Sequence, residues 1–154
     1  MNAVGIDVSK GKSMVSIMRT FGEIVASPFE VTHNQGELSE LAGRLKNLDG
    51  ETKVIMECTG SYHLPVADYL HEAGLSVCTV HAKLINDFSN NSIRKVKTDK
   101  SDSVKIANYG LSYWHDLTEY VPEDNIRHIL KAYSRQYIIT TKSKLRLKTI
   151  LYRC

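Results

Sequence analysis

Short extended runs, one apolar and one alternating, open the chain before hydrophobic positions change to helical spacing. Asn2 to Val8 is apolar and β-branched and closes in Gly5-Ile6-Asp7-Val8-Ser9, the pattern of a buried strand with an acid at its end. Ser13 to Met18 alternates around Val15 and Ile17, Phe21-Gly22-Glu23 predicts a turn, and Ile24 to Val31 is extended again, interrupted by Pro28. Three strands in an antiparallel meander are the simplest arrangement of these runs. After Asn34, a residue suited to capping, Leu38, Leu41, Leu45 and Leu48 recur at helical spacing until Asp49-Gly50. Lys53 to Glu57 repeats the first pattern, a short apolar strand ending in an acid. A turn at Thr59-Gly60-Ser61 then leads to a helix through Val66, Leu70 and Ala73. Gly74 stops that helix, and Leu75 to Val80 predicts a fifth strand.

Residues from Lys83 to Lys105 are mostly basic and polar, which predicts a long functional loop, with a helix restarting near Ser101 or Asp102 and running through Val104, Ile106, Ala107 and Leu111. Pro122-Glu123-Asp124 opens a last helix, in which Ile126, Leu130, Tyr133 and Tyr137 share one stripe. Strands alternating with helices imply an α/β fold: a five-stranded mixed sheet flanked by helices, followed by a long basic C-terminal helix. The expected domains are residues 1–115 and the start of a helical, coiled-coil-like segment at 122–154. An apolar stripe on a helix with no stop signal suggests a truncated protein or a covering partner, and makes that helix the candidate contact of a homo-oligomer.

Charge divides the chain more sharply than its overall balance of +3 suggests. Residues 1–124 carry 12 Lys and Arg against 17 Asp and Glu, a net of −5, whereas 125–154 carry 8 Lys and Arg and no acid. A basic tail of this kind is either an electrostatic footprint for a nucleic-acid backbone or a solvated helix face. Three cysteines far apart give neither a disulfide framework nor a zinc motif, and the six histidines lack metal-ligand spacing. With no membrane-length apolar run and no leader-like start, a cytoplasmic location without membrane contact is expected.

Four acids stand out. Asp7 and Glu57 end apolar strands, where a carboxylate is costly unless paired or metal-bound. Asp99 and Asp102, three apart at a helix start, can face one side of its first turn. If that helix crosses the sheet, all four can meet. Such hard oxygens suit Mg²⁺ or Mn²⁺, and two ions about 4 Å apart would serve phosphodiester cleavage. Taken one at a time, each acid also suits a local structural role: Asp102 as a helix cap, Asp99 as a partner of Lys97 or Lys100, Asp7 as a cap on the turn into Ser9.

Gly5-Ile6-Asp7-Val8-Ser9-Lys10, Glu57-Cys58-Thr59-Gly60-Ser61-Tyr62 and Lys97-Thr98-Asp99-Lys100-Ser101-Asp102 resemble, in order and spacing, the three signature blocks of the DEDD insertion-sequence transposases, the insertion-sequence-one-ten family related to the Piv invertase. The resemblance covers nearly the whole chain. It implies a RuvC-like domain of ribonuclease-H fold, with Asp7, Glu57, Asp99 and Asp102 as the catalytic, metal-binding carboxylates. It also implies action on DNA under guidance from a bridge RNA, and a separate C-terminal domain whose serine attacks DNA. Cys58 and Ser103 depart from the small, Ala-like residues usual at their positions, and no serine here matches the nucleophile block, so none is assigned.

Lys10, Lys83, Arg94, Lys95, Lys97 and Lys100 flank the acids and suit a polyanionic substrate, or are simply solvated. Thr59, Gly60 and Tyr62 suit a backbone approach to phosphate and stacking on a base; alternatively Gly60 makes the turn and Tyr62 packs beneath the next helix. Two other functions share these features: a RuvC-type nuclease that cuts branched DNA by metal-activated water, and a non-catalytic nucleic-acid-binding or dimerisation module whose acids are structural.

Overall fold

Two parallel strands, β1 (Asn2–Ser9) and β4 (Thr52–Cys58), form the centre of a five-stranded sheet ordered β3-β2-β1-β4-β5. The computed structural model describes residues 1–58, 60–90, 99–122 and 125–151, excluding the side chains at 99–101, 125, 126, 128 and 147–151. The meander is present: β2 (Lys12–Arg19) and β3 (Ile24–Thr32) follow β1 antiparallel, while β5 (Ser76–His81) runs parallel to β4. The turn between β2 and β3 places Phe21 at φ 65°, unusual for a residue with a side chain.

Period-2 alternation in the strands separates two apolar layers. Val4, Ile6, Val54, Met56 and Val77 face α1 (Gln35–Lys46) and α2 (Leu64–Glu72), packing with Leu38, Leu41, Leu45, Val66 and Leu70. Asn34 caps α1, its side chain accepting the Glu37 N–H at 2.8 Å. The alternate residues, Ala3, Ile55 and Val80, face α3 (Ala82–Asn90) and α4 (Asp99–Ser112) and pack with Ile85, Ile106 and Ala107. Asp7 and Glu57 share the parity of Ala3 and Ile55, so the pleat directs both acids to the α3–α4 side.

Residues 82–90 form a helix where the sequence predicted loop. Their polar composition conceals an apolar edge: Ile85 is buried, and the Phe88 ring meets Tyr109 of α4 and Tyr113 just after it edge-on at 5.7 and 6.0 Å. Tertiary contact with α4 thus supplies what local composition does not. Residues 91–98 lie outside the described residues.

The compact unit Met1–Tyr120 contains the sheet, and a second unit, Val121–Cys154, contains the long helix α5 (Asn125–Leu151). On α5, Leu130, Tyr133 and Tyr137 are exposed; Ile126 of the same expected stripe has no described side chain. No helix among the described residues is long and apolar enough to cross a membrane.

Candidate functional site

Where β1 and β4 run side by side, their register ends at Ile6 with Met56, and the next step along each strand is Asp7 and Glu57. Parallel pairing puts these acids at the same, C-terminal end of the sheet, next to each other. The third acid depends on how closely α4 approaches. A Cβ on Gly5 would stand 2.0 Å from the Ser103 carbonyl oxygen and 2.5 Å from the Ala107 nitrogen, so only glycine lets α4 lie this close to β1. Gly110 does the same further along the helix, where a Cβ would meet the Ile55 side chain at 2.6 Å. With both contacts closed, Asp102 in the first turn of α4 is carried over the strand ends.

Asp7, Glu57 and Asp102 line one cavity of about 220 Å³, together with Ile85, Asn86 and Lys105. Lys105 Nζ donates to Asp102 Oδ1 at 2.6 Å. Burial pushes the Glu57 carboxyl above the usual carboxylate range, and the negative charges of Asp7 and Asp102 push it further, with His81 partly opposing them. Burial likewise raises the neighbouring Cys58 thiol, so it is not an activated nucleophile.

Among the described residues no three histidine, cysteine, aspartate or glutamate side chains are grouped closely enough to hold a metal ion. Asp7, Glu57 and Asp102 nevertheless face one cavity, and Lys105 holds one of the three. The donor set itself fits a hard divalent cation: the groups are oxygens, and Mg²⁺ keeps several waters and needs only one or two carboxylates. Asp99 begins α4, one turn before Asp102, and its side chain is outside the described residues.

Of the expected nucleic-acid residues, the described ones lie in turns and helix starts that follow the strands of the sheet. Lys10 is exposed in the turn after β1, and Lys83 is exposed at the start of α3, its N–H donating to His81 Nδ1 at 3.2 Å. Gly60, at φ 73°, is exposed with no atom near its Cβ position. Tyr62 is 55% exposed, which corrects the alternative that it packs beneath the next helix: His63, not Tyr62, turns inward there. Thr59, Arg94, Lys95 and Lys97 lie outside the described residues, as does the Lys100 side chain. Sequence reasoning missed Asn86, His81 and Lys105 as site residues. Only Lys105 had a readable signal, its spacing of three from Asp102 on a helix.

A family model of DEDD transposases of the IS110 type, described as a transposase, matches residues 4–153. The chain belongs to this transposase family. No curated protein matches it. Among solved structures, the fold of this transposase domain is similar to RuvC of Thermus thermophilus, at 13% identity and TM-score 0.51, over 78% of this chain and 100% of that one. It is also similar to T. thermophilus RuvC in complex with a Holliday junction substrate, at 13% identity and TM-score 0.54, over 78% and 99%. The transposase-family chain therefore has a RuvC-like α/β fold of the ribonuclease-H type.

Proposed function

We propose that residues 1–115 are the metal-binding catalytic domain of a DNA transposase or recombinase, in which Asp7, Glu57, Asp99 and Asp102 hold Mg²⁺ or Mn²⁺, as two ions, to assist strand cleavage and exchange. The observation that carries this reading is the convergence of Asp7, Glu57 and Asp102, from two strands and a helix, on one cavity. Asp7 and Glu57 offer oxygens from strand ends fixed by the sheet, and Asp102 adds one from a helix held down at Gly5. A bound divalent cation supplies positive charge for the phosphate oxygens as a strand is broken. Close packing of α4 against β1 fixes the backbone that carries Asp102, so only side chains need to rearrange as the site is loaded.

DNA and a guide (bridge) RNA are the proposed partners, contacted through Lys10, Thr59, Gly60, Tyr62, Lys83, Arg94, Lys95, Lys97 and Lys100. Residues 122–154 serve as a helical segment that joins copies into a homo-oligomer through Leu130, Tyr133 and Tyr137. The proposed place of action is the cytoplasm. A second reading, a metal-dependent nuclease for branched DNA, is favoured by the likeness to a RuvC solved with a Holliday junction substrate. Nicking of a four-way junction without a covalent protein–DNA adduct would favour the nuclease.

Thermal melting with and without Mg²⁺ tests the shared metal site. The ion should raise the melting temperature of the parent chain, since a ligand that binds only the folded state stabilises it. Asp7→Ala, Glu57→Ala, Asp99→Ala and Asp102→Ala should each remove most of that rise. An unchanged melting temperature on adding Mg²⁺, or variants that respond as the parent does, would defeat the proposal and favour the non-catalytic binding module.

A further inference from the structure

We propose that Lys105 is the resident counter-ion of the carboxylate cavity, and that its ammonium must leave Asp102 before Asp102 can ligate a divalent cation. The inference rests on the reading of Asp7, Glu57 and Asp102 as cation ligands and adds a residue that this reading does not use. Lys105 is the one cation among the described residues that line the cavity. Its ammonium lies 2.6 Å from Asp102 Oδ1, a short charge-assisted bond. An i,i+3 pair on a solvated helix would contribute little. This pair differs because its carboxylate shares a cavity with two others, so the ammonium also offsets their repulsion.

A divalent ion and an ammonium cannot share that oxygen without strong repulsion at such short range. Moving the helix would not relieve the conflict, because Lys105 and Asp102 both ride on α4, three residues apart. It can be relieved by rotating a side chain. Lys105 has a flexible four-carbon stem, and the two side chains are 31% and 38% exposed, so the ammonium has solvent to move into. The residue therefore plays two parts. In the metal-free protein it keeps Asp102 oriented and its charge balanced. On metal loading it is exchanged, and the energy of breaking its bond weakens apparent metal affinity. Lys105 is a positioning residue that sets how much free cation the site requires.

Mn²⁺ titration of the full chain, with free Mn²⁺ read by electron paramagnetic resonance, tests this on the parent, Lys105→Met, Lys105→Arg and Asp7→Asn. Lys105→Met keeps the stem and removes the charge, and should tighten Mn²⁺ binding about fivefold; Lys105→Arg should stay within about twofold of the parent. With a chelator present, Lys105→Met should also melt below the parent, and saturating Mn²⁺ should close that difference. Unchanged or weaker Mn²⁺ binding by Lys105→Met, while the parent binds and Asp7→Asn does not, would overturn the counter-ion role and leave the carboxylate site standing. If the parent does not bind Mn²⁺, or Asp7→Asn binds as well as the parent, the ligand assignment itself falls and the role of Lys105 falls with it.

Discussion

Replacing Gly5 with alanine adds one methyl group at the contact between β1 and α4. An ordinary van der Waals contact begins at 3.4 Å, and the new carbon would stand 2.0 Å from the Ser103 oxygen and 2.5 Å from the Ala107 nitrogen. Both are backbone atoms, so no side chain can rotate away and the helix must lift by more than about 1 Å. Lifting it loosens the packing of Ile106 and Ala107, which are fully buried. Overpacking of this kind costs typically 1–3 kcal/mol, and the backbone clash on both atoms puts this case at about 3 kcal/mol. In a chain of this size that lowers the melting temperature by about 10 °C, readable by calorimetry. The sign is informative, because alanine normally stabilises a strand relative to glycine by roughly 0.5–1 kcal/mol. Mn²⁺ affinity should fall as well, since Asp102 withdraws from Asp7 and Glu57 with the helix. A Gly5→Ala protein that melts at or above the parent temperature and binds Mn²⁺ equally well would refute the account of how the site is assembled.

Gly43 gives the opposite expectation. It is exposed inside α1 with nothing within 4 Å of a Cβ, so Gly43→Ala should stabilise the fold by about 0.5–1 kcal/mol, measured as a higher denaturant midpoint. Glu57→Gln tests the electrostatics of the cavity in metal-free buffer. Because burial, Asp7 and Asp102 raise the Glu57 carboxyl, the folded state holds that proton more tightly than the unfolded one. Its contribution is therefore complete below the ordinary glutamate range and is lost as pH rises through the elevated value. The variant should match the parent near pH 4 and exceed it in stability near pH 7. Unfolding curves at the two pH values check this, and a gain confined to acid would contradict it.

Much of the fold could be read along the chain because its main elements obey local rules. Apolar runs ending in an acid marked β1 and β4, alternation marked β2, leucine spacing marked α1, and glycine with Asn34 marked the ends. Helix α3 could not be read this way, because a few apolar residues among polar ones become a helix only when Ile85 and Phe88 find a surface on the sheet and α4. The acids at strand ends were visible, since a carboxylate finishing an apolar run conflicts with its surroundings. Their neighbours at the site were not. Asn86 and His81 enter through the placement of α3 and β5, and nothing in their own sequence context announces it.

Sequence alone determined which residues could alternate, which could cap and which carried unexplained charge, because each of these depends on neighbours within a turn or two of chain. Tertiary structure alone decided that Asp7, Glu57 and Asp102 share a cavity with Lys105 between charge and countercharge. That outcome depends on the register of two parallel strands distant in sequence and on a helix approaching a glycine closely enough to exclude a methyl group. Distances of this kind are set by packing, and packing is a property of the folded whole.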